Sequence, residues 1–252
     1  MTPPFRTSFL NQPAYHERQR ITQQSCLPSP PPSASSTLGF HNIYSLSDPD
    51  LLSFIPRPVY ALIFLCPASI YHRARDVEYD AQATYDRSGP SEPVIWFKQT
   101  IGHACGLIAL LHGLANGGGK AYIKPDSTLD KLLKKAVGLD PKDRAQLLYD
   151  SEELERAHMA AAVQGDSVAP DASEENYQHF ICFAKAEDGH LWELNGGMKG
   201  PVDRGLLGPE EDALSERALE LGVKTFLGLL GKGGEGDGEV NFSLVAMAPN
   251  SD

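Results

Sequence analysis

Hydrophobic residues in this chain form either continuous apolar runs or helix-spaced repeats, and the two patterns predict different elements. The longest run, Val59 to Cys66, has the length and composition of a central strand buried on both faces. Two further runs flank Glu187-Asp188-Gly189, a sequence typical of a β-hairpin turn. The predicted strands are Val59 to Cys66, Val94 to Phe97, the hairpin strands His179 to Ala184 and His190 to Asn195, and Val240 to Met247.

Leucines spaced three and four residues apart predict helices in the middle of the chain. Leu107, Leu110 and Leu114 belong to one such repeat, which the triple glycine at 117–119 ends. Further helices are predicted after the capping residues Ser47 or Asp48, over Leu129 to Ala136, from Pro141, over Glu152 to Val163, and as one long helix from near Pro209 to Leu229. Residues 68–92 are predicted to be an irregular exposed connection. Strands interleaved with helices indicate an α/β (α+β) domain.

The first 37 residues differ in composition from the rest of the chain. They are rich in proline and serine and lack apolar periodicity, which predicts a disordered tail, with an organelle transit peptide as the alternative. We expect a catalytic domain over residues 38–248 and a short C-terminal tail over 249–252. Residues 164–177 form an unusually long predicted loop, and loops of such length within domains are often functional.

Charge and cysteine content narrow the class of protein. The chain has 252 residues and a formal net charge of −11, which argues against a nucleic-acid partner and favours a locally basic one. No apolar run has the roughly 20 residues of a membrane span. The four cysteines are too few for a disulfide scaffold, and none has CxxC spacing. We therefore expect a soluble protein in a reducing compartment, namely the cytoplasm, with the nucleus as a further location.

One segment places a cysteine at the start of a predicted helix. Cys105 follows a Gly-containing turn, and the helix N-terminus there stabilises a thiolate. Gln99 lies six residues earlier and can donate an amide N–H to an oxyanion. The simpler interpretation of a lone cysteine is a buried structural one, as we predict for Cys66 and Cys182.

The predicted hairpin supplies a base for such a nucleophile. His179 opens its first strand and Asn195 closes its second, so both residues lie toward the same end of adjacent strands. The side-chain carbonyl of Asn195 can then fix the tautomer of the His179 ring. His103 and His112 do not lie on a strand opposite the thiol, and we interpret them as packing or surface residues.

Four segments of the chain resemble the ubiquitin C-terminal hydrolases, which are papain-like cysteine peptidases. The segments are LGFHNIYSLSDPDLLSFIPRPVYALIFL, WFKQTIGHACGLIALLHGLANG, HFICFAKAEDGHLWELNGG with GPVDRG, and VNFSLVAMAP. The resemblance implies a central, mostly antiparallel sheet flanked by helices, which is knotted if the family's first strand is present. It also implies that Cys105 is the nucleophile, Gln99 the oxyanion-hole donor, His179 the general acid/base and Asn195 the residue that orients the histidine.

The resemblance further implies an activity and a partner. It implies a deubiquitinase (a thiol protease) that cleaves after the C-terminal Gly of ubiquitin through a thioester, in ubiquitin-dependent catabolism and ubiquitin recycling. The expected partners are ubiquitin and its adducts, with neither nucleic acid nor membrane. No cofactor or metal is implied, and the protein is expected to be a monomer. The alternatives are a ubiquitin-binding module with weak or no catalysis and a hydrolase of a related modifier.

This sequence departs from the family pattern in two places. The family usually has Asp where this chain has Asn195, so we expect a weaker ion pair and a reduced rate, with Glu193 as an alternative anion. The strand and helix that precede the LGF segment in the family have no counterpart pattern in residues 1–37. The resemblance also implies that residues 158–177 cross over the active site. Acidic residues in and beside this region, from Glu152 to Glu175, are either a solvated face or steer the basic tail of ubiquitin.

Overall fold

A six-stranded antiparallel sheet forms the centre of the molecule. The computed structural model describes residues 37–162, 178–229 and 242–250. Within these ranges the strands pair in the order β1-β6-β2-β3-β4-β5, and every neighbouring pair is antiparallel. Their bounds are β1 Leu38–Asn42, β2 Ala61–Pro67, β3 Gln178–Lys185, β4 His190–Leu194, β5 Val202–Leu206 and β6 Ser243–Pro249. The structure confirms the predicted antiparallel sheet flanked by helices.

Strand β2 is buried on both faces, as its continuous apolar run predicts. Leu62, Phe64 and Cys66 pack into a cluster on one face of the sheet, whereas Ile63 and Leu65 pack into a second cluster on the other. Side chains alternate between the two faces of a strand, so an uninterrupted apolar run requires cover on both sides. Helices supply that cover.

Eight α-helices lie within the described ranges. Their bounds are α1 Pro49–Ser53, α2 Ala68–Glu78, α3 Cys105–Ala115, α4 Thr128–Val137, α5 Pro141–Tyr149, α6 Glu152–Ala162, α7 Glu216–Leu221 and α8 Val223–Leu227, with a 3-10 helix at Gly117–Tyr122. Asp48 caps α1 through its side chain, which confirms the predicted start of that helix. The predicted starts of α5 and α6 are also confirmed. Helix α3 is buried along its whole length, which explains its leucine-rich sequence.

The prediction that residues 68–92 form an irregular connection is wrong for the first part of this range, because α2 occupies Ala68–Glu78. Ile70 and Tyr71 join the apolar cluster on one face of the sheet, and Ala74 packs against it. The buried stripe of α2 is short, and the charged residues around it conceal its helical spacing in the sequence.

Residues 94–97 do not form the predicted strand. Asn116 accepts a hydrogen bond from the N–H of Ile95 at 2.8 Å and donates one to its carbonyl oxygen at 3.0 Å. His112 accepts a hydrogen bond from the N–H of Phe97 at 2.9 Å. Side chains at the end of α3 therefore satisfy backbone groups that a neighbouring strand would otherwise pair.

The long helix predicted from near Pro209 is also wrong. The structure has two short helices, α7 and α8, which meet at Gly222 with φ −109° and ψ −101°. A Cβ atom at Gly222 would lie 3.0 Å from Phe183 Cδ1 and 3.1 Å from the Ala218 carbonyl oxygen. A side chain here would crowd Phe183 of β3, and glycine, a poor helix former, lies where the two helices meet.

Several predictions lie outside the described residues. They concern the tail over residues 1–36, the predicted loop over 164–177 and the last two residues of the C-terminal tail. The question whether the family's first strand, and with it the knot, is present also lies outside the described residues. Among the helices that the structure describes, none combines the length and the apolar character needed to cross a membrane.

Candidate active site

Cys105 is the first residue of α3. Its side chain is buried, with 3% of the residue exposed. The first N–H groups of a helix have no partner within the helix, and its dipole places partial positive charge there. His103, two residues before the cysteine, has a positive φ of 57°, which turns the chain sharply into the helix. The Cys105 side chain therefore lies at the positive end of the α3 dipole.

His179 and Asn195 are hydrogen-bonded, as the hairpin predicts. The distance from His179 Nε2 to Asn195 Oδ1 is 3.0 Å. The N–H of Gly197 donates to the same Oδ1 at 3.0 Å, which identifies this atom as the carbonyl oxygen of the side chain. Because Oδ1 only accepts, Nε2 of His179 carries the hydrogen and Nδ1 holds a lone pair. Nδ1 is therefore the basic atom of the ring.

Tyr71 covers the imidazole of His179. The two rings are stacked with centroids 3.8 Å apart and an interplanar angle of 20°. Burial lowers the pKa of His179 to about 4; the Asn195 hydrogen bond opposes this effect, and the charges of His72 and Arg75 add to it. The ring is therefore neutral at physiological pH. Glycine is needed at position 197, since a Cβ there would lie 2.2 Å from the Tyr71 hydroxyl oxygen.

Cys105 packs beside the elements that carry His179 and Asn195, because it lies in one apolar cluster with Phe180 and Leu194, the residues next to them in the chain. Burial is the main cause that raises the pKa of Tyr71, and the charge of Cys105 also raises it. Burial likewise raises the pKa of Cys66 to about 12, with the charges of Glu193 and Cys105 adding to the effect. The Cys66 thiol lies 3.7 Å from the His179 carbonyl oxygen. The thiol at the start of α3 and the imidazole at the start of β3 therefore belong to one site.

Gln99 is held against the segment that follows β4. Its backbone N–H donates to the carbonyl oxygen of Gly196 at 2.9 Å. Its side-chain amide donates to the Ile101 carbonyl oxygen at 3.2 Å. An amide has two N–H groups, so this bond orients the side chain and leaves a second donor for an oxyanion. The structure thus brings together the segments that carry all four predicted site residues, Gln99, Cys105, His179 and Asn195.

Comparison with known proteins identifies the family. The model of ubiquitin carboxyl-terminal hydrolase family 1 matches residues 33–227, which is more than half of the chain. The chain belongs to this family. It is therefore a cysteine-type ubiquitin hydrolase, as its resemblance to the family implies.

Several relatives match most of the chain. Ubiquitin carboxyl-terminal hydrolase 3 of Arabidopsis thaliana is 33% identical over 208 residues, or 82% of each chain. Ubiquitin carboxyl-terminal hydrolase YUH1 of Saccharomyces cerevisiae is 30% identical over 216 residues, or 84% of this chain and 86% of the relative. Isozyme L1 of Sus scrofa is 34% identical over 211 residues, or 82% of this chain and 86% of the relative.

The fold also matches solved structures of hydrolases. The catalytic domain of Trichinella spiralis UCH37, solved with ubiquitin vinyl methyl ester, superposes with a TM-score of 0.66 at 19% sequence identity, and the match covers 96% of each chain. A second structure of UCH37 with the same compound has a TM-score of 0.63 at 18% identity and covers 96% of this chain and 83% of that one. At such identities the likeness supports the fold of this family member.

Glu193, the alternative anion, contacts other partners. Its carboxylate accepts a hydrogen bond from Arg204 Nε at 2.9 Å. Burial raises the pKa of Glu193, whereas the charge and hydrogen bonds of Arg204 lower it. Asn195 hydrogen-bonds the imidazole directly, whereas no hydrogen bond joins Glu193 to His179 in the described part of the chain.

His112 has a role that its sequence pattern does not show. It is fully buried, and it accepts from the N–H of Phe97 at 2.9 Å while its Nδ1 lies 3.1 Å from the Leu194 carbonyl oxygen. Burial lowers the pKa of His112 to about 3, so the ring is neutral. Of the two interpretations, a packing or a surface residue, the structure supports packing for His112. It also ties the segment before Gln99 to the end of β4, beside Asn195.

Two other thiols are unsuited to nucleophilic chemistry. Cys66 and Cys182 are fully buried in strands, and burial raises the pKa of both. Neither forms a disulfide. Across the described ranges, no group of three or more His, Cys, Asp or Glu side chains is arranged to hold a metal ion.

Proposed function

We propose that the chain hydrolyses the bond after the C-terminal glycine of ubiquitin, with Cys105 as nucleophile and His179 as general acid/base. The observation that carries this proposal is the hydrogen bond from His179 Nε2 to Asn195 Oδ1, which leaves Nδ1 as the basic atom. Cys105 lies at a buried helix N-terminus and packs in one apolar cluster with Phe180 and Leu194, which adjoin His179 and Asn195 in the chain. Thiol, base and orienting group therefore form a complete set.

The reaction follows from these groups. His179 Nδ1 takes the proton of the Cys105 thiol, and the sulfur attacks the carbonyl carbon of the ubiquitin terminus. Gln99 and the backbone N–H of Cys105 donate to the resulting oxyanion. The imidazolium returns its proton to the leaving amine, and a thioester forms as the C–N bond breaks. Water, deprotonated by His179, then releases ubiquitin and the thiol.

Ubiquitin as the partner is supported from two directions. The UCH37 structures that share this fold were solved with ubiquitin vinyl methyl ester. The net charge of −11 also suits a partner with a basic tail. The binding module with little catalysis is not favoured, because the matched family consists of hydrolases. The monomeric state and the cytoplasmic location stay predictions, as does the reduced rate expected from Asn195.

Steady-state hydrolysis of a fluorogenic ubiquitin C-terminal amide tests the proposal. We expect Cys105→Ala to abolish turnover while it still binds ubiquitin. His179→Gln and Asn195→Ala should lower kcat more than they change KM, because both residues act on the reacting groups. The matched control is Cys182→Ala, which removes a buried thiol outside the site. Turnover that survives in Cys105→Ala would overturn the proposal.

A further inference from the structure

Three consecutive carbonyl oxygens at the end of β4 accept hydrogen bonds from α3 and from the segment that carries Gln99. The pairs are His112 Nδ1 with Leu194 at 3.1 Å, Trp96 Nε1 with Asn195 at 3.1 Å, and the backbone N–H of Gln99 with Gly196 at 2.9 Å. These bonds take the place of a ladder between two strands. They therefore align the segment of the predicted oxyanion donor with the residue that orients His179.

Trp96 is the member of this set whose side chain binds Asn195. Both residues are buried, and the indole N–H can only donate, so it needs an acceptor in the core. The Asn195 carbonyl oxygen is that acceptor. Trp96 also packs in the apolar cluster that contains Cys105 and Leu194. Its indole thus links the backbone of Asn195 to the start of α3.

Strand pairing does not reach Asn195. The register between β3 and β4 ends with the pair of Cys182 and Leu194, so Asn195 lies just beyond it. The register between β4 and β5 likewise ends with the pair of Glu193 and Val202. An anchor outside these ladders is therefore needed to fix where Asn195 lies in the site.

Hydrogen bonds within the turn after β4 give this turn its shape. The N–H of Gly197 donates to Asn195 Oδ1 at 3.0 Å, and the N–H of Met198 donates to the Asn195 carbonyl oxygen at 3.2 Å. Both donors move with the turn, so they set the direction of the amide but not the place of the turn in the molecule. Trp96 lies 99 positions away in the sequence and anchors the turn from outside.

We propose that Trp96 is a positioning residue for the reaction: its indole N–H holds the backbone of Asn195 where Oδ1 reaches His179 Nε2. The proposal rests on the proposed function for its kinetic consequences. Without the indole N–H, the turn keeps its internal bonds but can shift away from the segment of Gln99. The hydrogen bond from His179 to Asn195, which is 3.0 Å long in the intact site, then lengthens and weakens.

A double-mutant cycle separates this role from simple packing in the core. Trp96→Phe keeps an aromatic ring and removes the N–H. We expect kcat for a ubiquitin C-terminal amide to fall about three- to tenfold, the range for one hydrogen bond between neutral groups, with KM within about twofold. In the Asn195→Ala background the same change should lower kcat by less than about twofold, because the side chain through which Trp96 acts is gone. An equal loss in both backgrounds, or no loss in the first, would show that the proposal is wrong.

Two further substitutions control for the loss of volume. 3-Benzothienylalanine in place of Trp96, introduced through a suppressor tRNA, keeps both rings but has sulfur where the indole has N–H, and it should lower kcat by the same factor as Trp96→Phe. Trp192→Phe is the matched control, because the Trp192 indole donates to the Asp188 carboxylate, at 3.2 and 3.3 Å, in the hairpin turn at the other end of β4. It should leave kcat unchanged. Full activity with benzothienylalanine would refute the role of the N–H, even if Trp96→Phe fails to fold.

A second readout does not require ubiquitin. The rate of Cys105 alkylation by iodoacetamide as a function of pH, followed by mass spectrometry, reports the ionisation of the thiol. The imidazolium of His179 is stabilised by its bond to Asn195 Oδ1, so Trp96→Phe should move the midpoint of this profile to higher pH. No shift should follow in the Asn195→Ala background. Equal midpoints in the unaltered chain and in Trp96→Phe would refute the role of Trp96, whereas a failure of ubiquitin turnover in the unaltered chain would count against the proposed function alone.

Discussion

His112 makes the stability of the fold sensitive to acid. Its ring nitrogens pair with the Phe97 N–H and the Leu194 carbonyl oxygen, and burial lowers its pKa from 6.5 to about 3. In the unfolded chain the same histidine takes up a proton below pH 6.5. A base whose pKa is depressed by folding stabilises the protein above its unfolded pKa, and this contribution is lost as the pH falls toward the folded pKa.

The size of the effect follows from the two pKa values. Between pH 7.5 and pH 5.0 the unfolded histidine becomes almost fully protonated, whereas the buried one stays neutral. The unfolded and folded states therefore differ by nearly one bound proton over the roughly 1.5 pH units between the unfolded pKa and pH 5.0. This difference lowers the free energy of unfolding by about 2 kcal/mol. Burial also lowers the pKa of His179, to about 4, so His179 adds to the loss of stability in acid. A variant of His112 is therefore needed to isolate the share that His112 contributes.

Urea unfolding at the two pH values, monitored by tryptophan fluorescence, measures this loss in the unaltered chain and in His112→Gln. The glutamine amide can accept from Phe97 and donate to Leu194, but it does not titrate. We expect the unaltered chain to lose about 2 kcal/mol more than the variant on acidification. Half-buried His190 is the control, because Asp203 raises its pKa and His190→Gln should not reduce the acid loss. An acid loss that is equal in His112→Gln and the unaltered chain would refute the reasoning.

Three further predictions concern the site. Gly196→Ala places a Cβ 2.8 Å from Gln99 Cβ and should displace Gln99, so kcat on a ubiquitin amide substrate should fall about tenfold or more. Gly138→Ala is the control: its Cβ meets no atom within 4 Å, and it should leave kcat unchanged. Tyr71→Ala uncovers His179 and should raise the pKa of its imidazole from about 4, so the acid limb of the kcat/KM profile should move to higher pH. Tyr71→Phe keeps the stacked ring and should leave the acid limb where it is. Acid limbs at the same pH in both variants would contradict this. Added salt should slow labelling by a ubiquitin probe if charge steers association, and a rate indifferent to salt would count against steering.

The parts of the site that depend on local pattern could be predicted from the sequence. A helix start marks Cys105, and a hairpin turn fixes the register that brings His179 to Asn195. These signals act over a few residues, through helix periodicity and turn chemistry, so the sequence displays them directly.

The contacts that hold the site together depend on long-range packing and could not be predicted. His112 is separated from its partner Leu194 by 82 positions, and Tyr71 lies in a helix whose short buried stripe resembles an irregular loop in the sequence. Because α2 was not predicted, the contact of Tyr71 with His179 could not be predicted either. The segment before Gln99 looked like a strand because it is apolar, although side chains from α3 satisfy its backbone groups.

Covalent labelling tests the central assignment most directly. The unaltered chain is incubated with ubiquitin vinyl methyl ester, digested, and analysed by mass spectrometry for the residue that carries the adduct. We predict the adduct on Cys105, in a reaction that His179→Gln slows. An adduct on Cys66, Cys182 or Cys26 with Cys105 unmodified would contradict the account.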